Sequence, residues 1–514
     1  MRQKPPRRPK APPAVLVLGP ILHARGDQGG RWRLSAAVVM GGEEEPTDLR
    51  VDGVGLPVPP RFLHDWGEVD GRHGRLRLWR YDFAVPRGAQ DGRIGYGFDG
   101  QEQRWHVTIP GTDVPPRIAY AACGGAEDES KIETAGLSRN ARWAHLLGRH
   151  RAEPFHLLLL GGDQVYADGL WERVPALAPV GALPILRRAA VAAVPDELPF
   201  QLDVWYLATY RHAWSQAEAA AVLASVPIVA MWDDHDIVDG WGSYPDPLLD
   251  CPAYKAIFAA ASRAFRLFQV GMAEGDPPET VWGALDGPGD GSGGLSQGLI
   301  LNGVGILAPD LRSERRPDRV LSPATRQMLP RWLERFRGCG HLLLMSSVPL
   351  VFPGFGLLER VLNLIPGHQI IEDDLRDQWR SPAHAEEWQW LVRVLALFAR
   401  DAGCRVTVLS GEVHLGSVGV LRGPGVEIWQ LISSGIVHPP PPDLLVRGME
   451  RMARGKENLF DGLELEMTGF PETGRRMLPT RNWLSLTLDG DGTLTAAWQA
   501  EGEPATLVRR LPLL

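Results

Sequence analysis

From Arg117 to Ile432 the chain repeats one pattern: a short apolar run, a knot of glycine and polar residues, then a longer stretch of helical periodicity. Such alternation points to an α/β layered domain. The expected strands are Arg117–Ala122, Phe155–Leu160, Val226–Trp232, Gly298–Leu307, His341–Met345, Arg405–Leu409 and Val426–Ile432. Expected helices are Ser138–His150, Asp203–Ala224, Ala253–Val270, Pro323–Phe336 and Pro382–Ala402. The glycine-rich stretch Leu285–Gly298 is expected to be a mobile loop.

The flanks differ in texture. Residues 1–13 form a basic, proline-rich tail. Residues 14–112 are β-rich, with runs such as Trp32–Val39, Arg75–Tyr81 and Gly95–Ile109 between Gly and Asp turns. They predict a small all-β domain, with Val114-Pro115-Pro116 as its exit, ahead of a larger domain over 117–514. Asn482–Leu488 and Thr493–Gln499, joined by Asp489-Gly490-Asp491-Gly492, predict a C-terminal hairpin.

Composition narrows the function. A net charge of −8 argues against a nucleic-acid coat and against an anionic-membrane binder. No apolar run approaches the ~20 residues that cross a bilayer. Arg7-Arg8 resembles a twin-arginine signal, but the apolar stretch after it is broken by Gly19-Pro20 and lacks a small-residue cleavage site. A cytoplasmic location is therefore expected, with export as the alternative. The four cysteines are scattered, too few for a disulfide scaffold.

In an open α/β sheet, ligands collect beyond the carboxyl ends of the strands. Asp163, Tyr166 and Asp168 follow the run ending at Leu160, in Gly161-Gly162-Asp163-Gln164-Val165-Tyr166-Ala167-Asp168. An ordinary turn leading into a helix is the competing reading. After Trp232 come Asp233-Asp234-His235-Asp236 and then Asp239. So many acids repel one another unless something positive sits among them. Glu412 and His414 follow Leu409 and, two apart on an extended segment, can reach one side. Cys123, after Ala122, is either a soft metal ligand or a small buried residue. Together these donors suit one or two metal ions, and they match a closed zinc site poorly. A serine nucleophile lacks a Gly-x-Ser-x-Gly elbow.

These segments resemble the PhoD-like phosphatases of the calcineurin-like superfamily. The resemblance rests on Gly162–Asp168, Trp232–Asp236 with Asp239–Tyr244, and Ser410–His414. It is supported by Ala122-Cys123, Asp310–Ser313, Ser346–Pro349 and Ser433–Gly435. It implies a four-layer β-sandwich flanked by helices, with two metal ions at the strand ends: Fe(III) plus Ca(II) or another divalent ion. By residue-wise transfer, Asp163 bridges both metals. Cys123, Tyr166 and His414 join the ferric site, and Asp234 and Glu412 join the second. Glu412 stands where the family usually carries Asp. His235 matches the leaving-group acid, and Arg312 is a candidate phosphate contact. The implied reaction is hydrolysis of phosphate monoesters or diesters by a metal-activated hydroxide. A catalytically silent binding protein on the same fold is the alternative; the oligomeric state stays open.

Overall fold

A computed structural model describes residues 14–287, 294–353, 379–411, 413–503 and 506–513. The tail 1–13, the centre of the glycine-rich stretch (288–293) and Glu412 lie outside the described residues.

Two mixed sheets face each other. The ten-stranded sheet is centred on Arg117–Ala121, Leu157–Gly161 and Ile228–Met231, which run parallel. The nine-stranded sheet holds Val304–Ala308, His341–Met345, Arg405–Ser410 and Val426–Ile432, also parallel. Side-chain alternation explains why these strands read as unbroken apolar runs. Leu157 and Leu159 enter the core between the sheets, which also holds Ile306, Leu343 and Val408. Leu158 and Leu160 enter a second core, shared with Leu146, Leu202 and Ile257 on helices Ala141–Ala152, Leu198–Trp214 and Pro252–Ala264. Each face needs an apolar residue, so no polar alternation survives. Burying each such leucine stabilises the fold by roughly 1.5–3 kcal/mol. Helices Pro323–Glu334 and Ala385–Ala402 add Leu329, Leu391 and Leu395 to the first core.

The β-rich segment 14–112 is laid onto this frame. Strand Val15–Gln28 pairs in parallel with Ile228–Met231 at His23↔Ile228 and carries Arg31–Gly41, Gly74–Pro86 and Arg61–Asp70 outward in the ten-stranded sheet. Leu49–Val51, Gly92–Phe98 and Trp105–Ile109 form a separate three-stranded sheet. The C-terminal hairpin Leu484–Leu488 and Leu494–Trp498 joins the other side of the large sheet through Arg117–Ala121.

Two sequence-based elements need correction. Gly298–Leu307 is not one strand but a hairpin, Gln297–Leu301 and Val304–Ala308. Asn302 (φ 45°) and Gly303 (φ 80°) make its turn, and Asn-Gly is the pair that accepts two left-handed residues in a two-residue hairpin. Asp203–Ala224 is two helices, Leu198–Trp214 and Ala217–Leu223, parted at Ser215-Gln216. A π-helical turn, Phe265–Val270, continues Pro252–Ala264 and ends at left-handed Gly271. Among the described residues no helix is long and apolar enough to cross a membrane.

His156, fully buried, links the start of strand Arg117–Ala121 to Asp91. Its Nδ1 accepts the Arg117 N–H (3.1 Å), and its Nε2–H donates to Asp91 (3.0 Å). Burial, helped by the Arg117 charge, lowers its pKa to about 4. His150 is lowered to about 4 by burial and Arg93. Between pH 6.5 and 4 the unfolded chain binds protons that the folded chain does not. Stability therefore falls with pH in that window, by about 1.4 kcal/mol per unit for each such histidine. The buried Asp236 and Asp239 carboxyls, raised to about 7, pull the other way over the same range. In urea unfolding at pH 7, 6 and 5, wild type should therefore lose stability relative to His156→Gln, which cannot titrate, by about one histidine's share as pH falls; parallel pH dependences would contradict the assignment.

Candidate active site

The polar clusters after the parallel strands meet where the two sheets abut. Backbone hydrogen bonds hold the loops together. Cys123 N–H donates to Gly162 O (3.1 Å), Gly124 N–H to Asp163 O (2.7 Å), Ala167 N–H to His235 O (2.9 Å) and Val437 N–H to Cys123 O (3.2 Å). Glycine is required at two places. A Cβ on Gly162 (φ 101°) would sit 2.9 Å from Asp233 Cβ, and one on Gly125 would sit 2.7 Å from the Tyr166 ring.

Cys123 (φ 53°), Asp163 (φ 52°) and His414 (φ 53°) are held in left-handed conformations. Each conformation costs on the order of 1–3 kcal/mol unless its surroundings enforce it, and such residues gather at functional sites. All three were singled out from sequence; Cys123 and His414 meet at Ser434, and Cys123 also reaches Asp163. Cys123 Sγ lies 3.1 Å from Ser434 Oγ and 3.8 Å from Asp163 Oδ2. Ser434 Oγ accepts the His414 N–H (3.1 Å).

Asp163, Asp234 and His235 present ligand atoms within 4.8 Å of one another, and all three are buried. Asp233 and Asp236 are buried beside them at 1% exposure. The carboxylates are crowded: the buried guanidinium of Arg312 faces both Asp233 and Asp234. Asp163 Oδ1 and Tyr166 Oη are buried and have no hydrogen-bond partner among the described residues. Burial, reinforced by the Asp233 carboxylate, pushes the Asp163 carboxyl well above its usual range. Burial likewise raises the Tyr166 phenol. Positive charge held among these oxygens would reverse both shifts and satisfy both orphaned atoms. The donor set therefore fits the metal ions that the resemblance implies.

Asp236 has a different task. Its carboxylate accepts the N–H groups of Asp163 (2.8 Å), Gln164 (3.1 Å), Val165 (3.2 Å) and Asp233 (2.9 Å), and Gln269 Nε2–H (2.9 Å) from the π-helical turn. It clamps the loops after two neighbouring strands and holds the backbone N–H of Asp163. Asp310 similarly accepts Trp232 Nε1–H (2.9 Å) and the N–H groups of Arg312 and Ser313.

His235 stacks on Tyr166, with ring centroids 4.4 Å apart. Its Nδ1–H donates to Asp168 Oδ2 (2.8 Å), since a carboxylate only accepts. That leaves Nε2 facing the cluster, 3.8 Å from Glu127. Burial opposes charge on this ring, but the Asp168 and Asp234 carboxylates outweigh it and hold its pKa well above normal. Burial, with His438 alongside, pulls His414 well below normal and keeps it neutral.

Arg312 does not stand open to a ligand. It is fully buried, ion-paired with Asp233, 3.5 Å from Asp234, and donates to Trp241 O (3.0 Å). Two residues drawn into the site carried no role in the sequence reading: Glu127 and His438. The Ser433-Ser434-Gly435 segment runs into His438, so proximity to that motif was the available signal. A cavity of about 500 Å³ opens beside Tyr166 and Glu127, walled by Trp205, Thr209 and Arg173.

Two stacked mixed sheets with an acid- and imidazole-lined site across their strand ends define an α/β protein whose candidate site suits bound metal ions. The chain belongs to the family of PhoD related phosphatases, which it matches over residues 119–366 and 354–505. It is similar to an uncharacterized protein of Saccharomyces cerevisiae, 25% identical over 459 residues. That match covers 73% of this chain and 64% of the yeast protein, so the chain spans under two thirds of that relative's length. The solved structure of PhoD superposes with a TM-score of 0.56 at 14% identity, covering 95% of this chain and 88% of PhoD. That likeness fixes the fold.

Proposed function

We propose that the protein is a metal-dependent phosphoesterase that hydrolyses phosphate monoesters, diesters or both. The carrying observation is the buried excess of carboxylates around Asp163 Oδ1 and Tyr166 Oη, two orphaned oxygens that a cation would satisfy. Asp163, Asp234, Tyr166, Cys123 and His414 hold the metal ions in this reading, and Glu412, from sequence, joins them. When bound, the ions supply Lewis acidity toward the phosphoryl oxygens and lower the pKa of water. Fe(III) with Ca(II) is the pair that the resemblance suggests.

The chain's own groups do the rest. Asp168 holds the His235 ring so that Nε2 faces the cluster. In hydrolysis, water oxygen bonds to phosphorus opposite the leaving oxygen and releases one proton to solvent, the bond from phosphorus to the leaving oxygen breaks, and the leaving oxygen takes the proton from His235 Nε2, which solvent then reprotonates. Arg312 acts as a positioning residue, holding Asp233 and the Asp234 loop in place. The adjoining cavity offers room for the organic part of the substrate.

The test is hydrolysis of an aryl phosphate monoester and an aryl phosphate diester by purified protein supplied with iron and calcium. Turnover supports the reading, and the ratio of the two rates assigns the subclass. No turnover on either, in protein carrying metal, points to the silent binding protein. His235→Gln should lower kcat on a poor leaving group by ~10²–10⁴-fold. The loss should be much smaller on a good leaving group such as nitrophenolate, which needs little protonation. Equal losses on both would contradict the acid role.

A further inference from the structure

His438 sits in Ile436-Val437-His438-Pro439, just before a run of four prolines, and nothing in the proposed reaction uses it. Its ring stacks on His414 with centroids 3.6 Å apart and planes 14° apart. Its Nδ1 lies 2.7 Å from Pro439 O. A carbonyl only accepts, so Nδ1 carries a hydrogen. In the neutral ring, Nε2 then offers a lone pair, and it points at Glu127 Oε2, 3.3 Å away. The contact is half-buried, with the Glu127 side chain 30% exposed and His438 11%. One ligand atom from each of Glu127, His414 and His438 lies within 4.8 Å of the other two. Glu127 Oε1 is also 3.8 Å from His235 Nε2, which joins this trio to the Asp163 cluster.

We infer that Glu127, His414 and His438 together form a ligand set for a first-row divalent metal ion, with His438 binding through Nε2. The inference rests on the phosphoesterase reading, because His414 is shared with that centre. Two imidazoles and one carboxylate suit a borderline ion better than calcium, which takes six to eight oxygens. The Pro439 carbonyl gives His438 the outer hydrogen bond that orients a ligating imidazole and fixes its tautomer. His414, strained at φ 53°, is held where its ring meets His438.

The test uses full-length protein stripped with a chelator, desalted and titrated with Co(II). Visible absorption and elemental analysis are the readouts. His438→Ala should weaken Co(II) binding at least about tenfold and alter the visible bands. His438→Cys should restore binding and add a sulfur-to-cobalt band in the near ultraviolet, seen as a difference from wild type, which already contains Cys123. His106→Ala, exposed on strand Trp105–Ile109 of the three-stranded sheet, should change neither. The imidazolium alternative, a plain ion pair with Glu127, predicts unaltered affinity and spectrum in His438→Ala and no new band in His438→Cys. Either result overturns the inference. If His438→Ala does not fold, His438→Cys alone decides. If wild type binds cobalt and hydrolyses phosphate esters while the His438 variants behave like it, only this inference falls. If wild type takes up no cobalt, this inference falls, while the phosphoesterase reading stands or falls on turnover with iron and calcium.

Discussion

Asp163→Asn should lower phosphate-ester hydrolysis by at least ~100-fold, because losing a direct ligand costs more than losing the outer partners that tune one. It should do so without unfolding the protein. Asn tolerates a left-handed backbone better than most residues, so φ 52° is no obstacle. The amide also removes one of several buried carboxylates that repel each other, and Asp236 still accepts the backbone N–H at 163. The metal-free variant should therefore melt at or above the temperature of metal-free wild type, while added metal stabilises only wild type. Thermal unfolding with and without metal, beside the kinetics, separates a site residue from a structural one. A variant that loses activity and melts far lower would place Asp163 in the framework instead.

Arg312→Met should be the most destabilising change in the site. The guanidinium is fully buried and paired with Asp233, which is 1% exposed. Removing one partner of such a pair typically costs 3–5 kcal/mol, because the other charge stays buried and uncompensated. Asp233→Asn with Arg312→Met removes both charges and should recover more than half of that loss. Urea denaturation of the two single variants and the double would measure it. Additive losses would show that Arg312 supports the fold through contacts other than Asp233. Metal should partly rescue Arg312→Met, since positive charge at Asp234 also quiets Asp233.

What could be read in the sequence follows from locality. The run Ile228-Val229-Ala230-Met231 ending on Asp233-Asp234-His235-Asp236 needs no partner to be recognised, because burial on both faces removes polar alternation from the strand itself. The same holds for Leu157–Leu160 before Asp163. Local order does not reveal which acids share a space. Asp236 looked like one more member of an acidic cluster, yet it satisfies the N–H groups of Asp163, Gln164 and Val165, some seventy residues away. Arg312 looked available for phosphate because its partner Asp233 lies 79 positions earlier. Glu127 and His438 are 311 residues apart and carry no mutual signal in the chain. The Asn302-Gly303 turn was local and visible; it was hidden inside an apolar run long enough to pass for a single strand.

The central claim is that the Asp163 cluster works through bound metal. The direct measurement is aryl phosphate hydrolysis by protein dialysed against a chelator, verified metal-free by elemental analysis, then reloaded. The account predicts that activity disappears with the metal, returns on reloading, and does not return in Asp163→Asn. Undiminished hydrolysis by the verified metal-free protein would contradict it.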